Sequence, residues 1–149
     1  MLLLIFKEKY ILNRVLGLDI GEKRIGVSIS DPLLISAQPM DTILREPEET
    51  SLETIMKICN DYNVNKIVAG FPLLMSGVAG KQALNCKEFS EKISQKTGID
   101  VILVDERLTS TLAERTLREQ GKKYTRNKGM VDKVAAILIL QQYLDTIAK

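Results

Sequence analysis

The stretch from residue 15 to residue 30 constrains this chain more than any other. Two β-rich apolar runs, residues 15–20 and 25–30, are separated only by Gly21-Glu22-Lys23-Arg24. Four polar residues opening on a glycine form a tight turn, so the runs fold back on each other as an antiparallel pair. The first run contains Asp19. Side chains alternate along a strand, which sets Asp19 on one face with Val15 and Gly17, and Leu16, Leu18 and Ile20 on the other. Both faces read as buried, and an unpartnered carboxylate there costs on the order of several kcal/mol or takes up a proton. Asp19 therefore calls for a metal, an arginine or donor groups; the structural alternative is a carboxylate that accepts N–H groups of the Gly21 turn.

The periodicity changes after the hairpin. A third extended run, residues 36–44, carries Pro39 and reads as an edge strand or a bulge. Leu52, Ile55, Met56 and Cys59 fall at helical spacing and predict a helix over residues 51–62, with Thr50 or Ser51 as N-cap and Pro47 just before. Residues 66–71 predict a short buried strand ended by Gly70-Phe71-Pro72. A flexible loop follows over 77–80, then a helix over 83–96 that Gly98 stops. Residues 101–104 predict another buried strand, 109–120 a helix, 121–129 a basic loop and 130–147 a final helix. A mixed sheet covered by helices on both faces fits this order. With 149 residues the chain has the length of one domain. Residues 1–14 read as an N-terminal extension or misassigned start, with Leu12 as an alternative initiation codon, and residues 15–149 as a single domain.

Other acids also stand where an apolar pattern should exclude charge. Asp132 shares a helical face with Ala135, Ala136 and Ile139 and so points at the sheet, with helix capping as the alternative reading. Asp105 and Glu106 close the apolar run 101–104; along a continuing strand they face opposite ways, so one of them faces Asp19. The same residues, followed by Arg107, Leu108 and Thr109, also suit a strand-to-helix turn with Thr109 as N-cap. Carboxylates are hard oxygen ligands, and such a set suits Mg²⁺ or Mn²⁺ in phosphodiester cleavage. The chain has no histidine, which excludes serine–histidine and cysteine–histidine hydrolysis, histidine zinc sites and imidazole acid–base catalysis. Cys59 and Cys86 lack a CxxC pattern and read as reduced structural thiols.

The net charge of +2 is too small to announce a nucleic-acid partner, so a basic signal has to be local. Between residues 115 and 133 stand Arg115, Arg118, Lys122, Lys123, Arg126, Lys128 and Lys133 against only Glu119 and Asp132. Placed directly before Asp132, this segment offers phosphate-binding charge, with Tyr124 able to stack on a base. The apolar start of the chain is too short for a signal peptide and no span reaches membrane length, so a cytoplasmic protein is expected.

Four motifs in order resemble the YqgF family, also called RuvX-like, of the RNase H-like superfamily. They are Leu18-Asp19-Ile20-Gly21-Glu22-Lys23-Arg24-Ile25-Gly26-Val27 followed by Ser30-Asp31; Gly70-Phe71-Pro72-Leu73-Leu74-Met75-Ser76-Gly77; Asp105-Glu106-Arg107-Leu108-Thr109-Ser110; and Lys128-Gly129-Met130-Val131-Asp132. The match runs from Val15 to Tyr143, and Ser76 departs from the acidic or amide residue expected in its loop. The resemblance implies an α/β RNase H-like fold, with a mixed sheet of antiparallel opening strands, then parallel strands, and helices on both faces. It implies a hydrolase cutting phosphodiester bonds, with Asp19, an acid from Asp105 and Glu106, and Asp132 as catalytic residues and ligands of Mg²⁺ or Mn²⁺. In the expected reaction one ion activates a water and another stabilises the leaving oxygen.

Lys23, Arg24 and Arg107 are candidate phosphate contacts, and Lys122, Lys123, Arg126 and Lys128 further nucleic-acid-binding residues. The cellular role expected first is maturation of the 5′ end of pre-16S rRNA, as a monomer or homodimer; the alternative is resolution of four-way DNA junctions. Two rival classes remain. The Asp19-Ile20-Gly21 turn also resembles the phosphate loop of the actin and sugar-kinase superfamily, but those enzymes close two such domains around ATP. A non-catalytic RNA- or ribosome-binding module would keep binding after removal of metal and of Asp19.

Overall fold

The computed structural model describes residues 12–74, 76–106 and 128–148. Strands β1 (Arg14–Ile20) and β2 (Arg24–Ser30) form the expected hairpin, in which Leu16 pairs with Ile29 and Ile20 with Ile25. The turn is closed by the Gly21 N–H donating to the Arg24 carbonyl at 2.9 Å. Strand β3 (Ala37–Leu44) lies antiparallel to β2 at the edge of the sheet. Of the two readings of Pro39, the edge strand holds: it pairs in register with Ser28, and the shift in β2–β3 register lies away from it, between Ile25 and Val27.

Helix α1 (Glu48–Asp61) starts earlier than its apolar spacing predicted. Pro47 is the N-cap, the Ser51 N–H already donates to the Pro47 carbonyl, and the Ser51 hydroxyl bonds the Glu48 carbonyl instead of capping. Glu48 and Glu49 in the first turn complement the helix dipole, a signal that apolar spacing does not carry. Strand β4 (Val64–Phe71) runs parallel to β1. Helix α2 (Lys81–Thr97) ends, as expected, at Gly98, which takes φ 74° and donates its N–H to the Ser94 carbonyl. Strand β5 (Val101–Asp105) is parallel to β4 and stands last in the sheet order β3-β2-β1-β4-β5. Its residues 101–104 are half-buried where full burial was expected. Helix α3 (Lys128–Ile147) closes the described fold. The helix expected over 109–120 lies outside the described residues, as does the loop expected over 121–129 up to residue 127; residues 128 and 129, expected in that loop, already belong to α3.

Strand alternation sorts the core into two layers. Leu16, Leu18 and Ile20 of β1, Ile25, Val27 and Ile29 of β2, and Ile67 and Ala69 of β4 meet Ile55 and Cys59 of α1 and Cys86, Phe89 and Ile93 of α2. On the other face Val15 and Val68 meet Ile139, Leu140 and Leu144 of α3. Cys59 and Cys86 are free, buried thiols, and burial pushes them up to about 11 and about 12.

The α3 face of the sheet is lined by small residues, which lets the helix come close. The Ser28 hydroxyl donates to the Ala136 carbonyl at 2.7 Å. Gln141 accepts the Ala37 N–H and donates to the Ile35 carbonyl, both at 3.0 Å. Asp31 organises the β2–β3 connection by accepting N–H groups of Leu33, Ile35 and Ser36, which keeps its carboxyl below the usual carboxylate range. A Cβ on Gly17 would stand 2.7 Å from the Leu140 Cβ and 3.2 Å from the Ala136 carbonyl oxygen. Gly17→Ala should therefore lower the unfolding free energy by about 1–3 kcal/mol through overpacking. The readout is a lower urea midpoint at constant m-value; an unchanged midpoint would mean that α3 can lift off without penalty.

Candidate active site

Strands β1, β4 and β5 are mutually parallel, so their carboxyl ends share one edge of the sheet, where open α/β sheets bind ligands. Asp19 is the last residue but one of β1 and follows Gly17 on the α3 face. It pairs across the hairpin with Gly26, and a Cβ on Gly26 would run into the main chain of Asp132. The missing side chain lets the start of α3 reach the strand that carries Asp19. Gly70 of β4 plays the same part for Glu106: a Cβ there would collide with the Glu106 carboxylate. Bare sheet thus underlies both acids that approach Asp19.

Glu106 is 8% exposed, and its Oε2 has no hydrogen-bond partner among the described residues. Burial first, then the neighbouring Asp19 and Asp105 carboxylates, push its carboxyl up to about 8. Asp19 is pushed up to about 7, by burial first and then by the Asp132 carboxylate. No hydrogen bond to the Asp19 carboxylate is found among the described residues, so the Gly21 turn does not satisfy it. Asp132 is held differently, its Oδ2 accepting from Arg24 Nε at 2.9 Å. It is the fifth residue of α3, beyond the first turn, which removes the capping alternative.

The edge therefore brings together Asp19, Glu106 and Asp132. Asp105 behaves otherwise. It pairs with Phe71 at the end of β5, is exposed, and by alternation follows Val101 and Leu103, which pack on the α1–α2 side, whereas Glu106 follows Val104 on the α3 side. Of the Asp105 and Glu106 pair, Glu106 is the one that lies beside Asp19. Among the described residues no three carboxylates stand close enough together to hold a metal ion as they are, and Asp132 is paired with Arg24. Arg24, expected as a phosphate contact, is occupied by that ion pair. Lys23 is exposed on the turn. Lys128 opens α3, its side chain outside the described residues, as are Arg107, Lys122, Lys123 and Arg126.

One residue escaped sequence reasoning. Arg45, just past β3, is 7% exposed and spans from the β1–β2 turn to α2. Its only sequence signal was an arginine at the end of an extended run, which reads equally well as a solvated charge.

A family model described as RuvX, Holliday junction resolvase, matches residues 13–146. A Clostridium botulinum (strain Hall) protein named as a candidate pre-16S rRNA nuclease is 46% identical over 136 residues, covering 91% of this chain and 99% of the relative. A Sulfurihydrogenibium protein of the same name is 44% identical over 139 residues, covering 92% and 93%. Among solved structures, Thermus thermophilus RuvC in complex with Holliday junction substrate superposes with a TM-score of 0.55 at 14% identity, covering 91% of this chain and 96% of the other. The fowlpox virus Holliday junction resolvase gives a TM-score of 0.55 at 11% identity, covering 90% and 99%. These two share the fold, and they bear out the expected RNase H-like architecture.

The shifted acids make stability depend on pH. Asp19 and Glu106 bind protons more tightly folded than unfolded, so their stabilising contribution is full below an unfolded pKa of about 4. It is lost as pH rises through about 7 for Asp19 and about 8 for Glu106. In EDTA the urea midpoint should fall between about pH 5 and pH 9, and Asp19→Asn combined with Glu106→Gln should flatten that fall. A wild-type midpoint constant over this range would show that the two acids are solvated.

Proposed function

Since this chain belongs to the RuvX family, we propose that it is a divalent-metal-dependent nuclease whose site is Asp19, Glu106 and Asp132. It hydrolyses phosphodiester bonds, and its cellular role is maturation of the 5′ end of pre-16S rRNA, as the names of its close relatives suggest. The observation that carries the reading is the unpartnered, buried Oε2 of Glu106 beside the protonatable Asp19. Buried carboxylates without partners are what a hard cation satisfies, and the donor set of oxygen atoms suits Mg²⁺ or Mn²⁺. When such a cation is bound, the chemistry supplied is activation of a water and neutralisation of the charge that develops on the phosphate.

The chain's own residues divide the remaining work. Asp19 and Glu106 present carboxylate oxygens from the strand ends, and Asp132 presents one from α3 while Arg24 holds its other side. Lys23, exposed on the turn, is set to contact the phosphate backbone, and Arg107, Lys122, Lys123, Arg126 and Lys128 extend that contact along the strand. Asp105, set on the opposite side of β5, leaves the ligand set. Junction resolution is the second reading, favoured by the description of the matching family model. Among the described residues no helix is long and apolar enough to cross a membrane, and the proposed ribosomal substrate sets the work in the cytoplasm.

Cleavage of labelled pre-16S rRNA and of a four-way DNA junction, with Mg²⁺, Mn²⁺ or EDTA, tests the site. Asp19→Asn and Glu106→Gln should each lower the metal-dependent rate by roughly 100-fold or more with circular dichroism unchanged, while Asp105→Asn stays within about 5-fold of wild type. Full activity in Asp19→Asn would sink the carboxylate site, and cutting of the junction alone would favour the second reading. Lys122→Ala with Lys123→Ala should reduce the slope of log affinity against log salt by about 1.5. An unchanged slope would take these lysines off the binding surface.

A further inference from the structure

The turn between β1 and β2 carries Asp19 on one side and Arg24 on the other, and its carbonyls are gripped from the face opposite α3. The Ile20 carbonyl accepts from Cys86 Sγ at 3.3 Å and Gln82 Nε2 at 3.4 Å. The next carbonyl, Gly21, accepts from Arg45 Nη1 at 3.1 Å, and the Lys23 carbonyl accepts the Arg45 N–H at 2.9 Å. Arg45 therefore holds the turn at two points. Its own guanidinium is fixed to α2, with Nη2 donating to Asn85 Oδ1 at 3.1 Å and the carbon of the fork 4.0 Å from the centre of the Phe89 ring. Phe89 is itself fully buried in the core beneath the turn.

This is an uneconomical way to gain stability. A buried guanidinium is costly unless all its donors are paired, and Nε of Arg45 finds no partner among the described residues. What the arrangement does provide is geometry. A planar fork lying on an aromatic face can reach two acceptors in fixed directions, which an ammonium on a flexible stem cannot. The acceptors join α2 to the turn, and the turn leads within one residue to Arg24, the partner of Asp132, and within two to Asp19.

We propose that Arg45 is the positioning residue of this site, fixing the β1–β2 turn so that Asp19 and Arg24 hold the geometry that cleavage requires. The proposal deepens the nuclease reading and rests on it. Arg45 reaches the turn from the α2 side of the sheet, opposite α3, so it acts through the turn.

The test compares the full-length wild type with Arg45→Met, Arg45→Lys, Asn85→Ala and Asp19→Asn. Two readouts are used: steady-state cleavage and peptide-resolved hydrogen exchange. In Arg45→Met, kcat per folded molecule should fall about 30-fold with KM within about twofold, because a small misplacement of catalytic groups is enough for such a loss. Arg45→Lys should recover part of it, and Asn85→Ala, which keeps the cation and removes its anchor, should fall about 5-fold. Exchange across residues 20–25 should quicken by about 10-fold or more in Arg45→Met while β4 is unchanged. Wild-type kcat in Arg45→Met and Asn85→Ala, or unchanged exchange in the turn, would overturn the proposal. If Arg45→Met does not fold, Arg45→Lys and Asn85→Ala decide it by the same criteria. Should wild type and Asp19→Asn cut alike, the nuclease reading itself has failed; exchange in the turn then decides alone whether Arg45 fixes it.

Discussion

The close approach of α3 to a nearly bare strip of sheet is the contact on which the site depends. Gly17, Gly26, Ser28 and Gly70 lie on the face that receives the helix, and the helix answers with Ala135 and Ala136, both buried. Glycine serves here because it lets main chain meet main chain. A side chain at Gly26 would displace Asp132, and one at Gly70 would displace Glu106. Packing and chemistry are therefore one constraint: whatever lifts α3 also separates the acids.

Charge is the second consequence of that packing. Asp19, Glu106 and Asp132 are brought to one edge of the sheet, but among the described residues only Asp132 is paired with a cation, Arg24. Burial first, then a neighbouring carboxylate (Asp132 for Asp19, Asp19 and Asp105 for Glu106), pushes the other two carboxyls up to about 7 and about 8. A site that must handle a polyanionic backbone cannot lower this repulsion with the substrate itself. A divalent cation would relieve it, and the oxygen donor set and membership of the RuvX family are consistent with the metal site proposed above. Arg45 adds a further element, since it grips the turn between Asp19 and Arg24 from below.

Much of this was legible in the chain. Alternation alone set Asp19 with Val15 and Gly17, and helical spacing set Asp132 with Ala135, Ala136 and Ile139; both faces turned out to be the α3 interface. Pro39 gave the edge strand and Gly98 the end of α2. The start of α1 was missed because Glu48 and Glu49 belong to it through the dipole and not through apolar period. The burial of β5 was overestimated because an apolar run does not say whether a strand is central or last in the sheet. Arg45 was invisible, since its partners lie 24 and 40 residues away in sequence.

By itself the sequence determined the hairpin, the order of the described strands and helices, the absence of imidazole chemistry and the presence of carboxylates in apolar surroundings. These are local properties, fixed by periodicity, turn residues and composition. Only the tertiary structure decided which acid of the Asp105 and Glu106 pair joins Asp19, that Asp132 is engaged by Arg24, and that Arg45 reaches under the turn. Each of those is a contact between segments distant in the chain, and its outcome depends on which strand end, helix and glycine happen to meet at the same edge of the sheet.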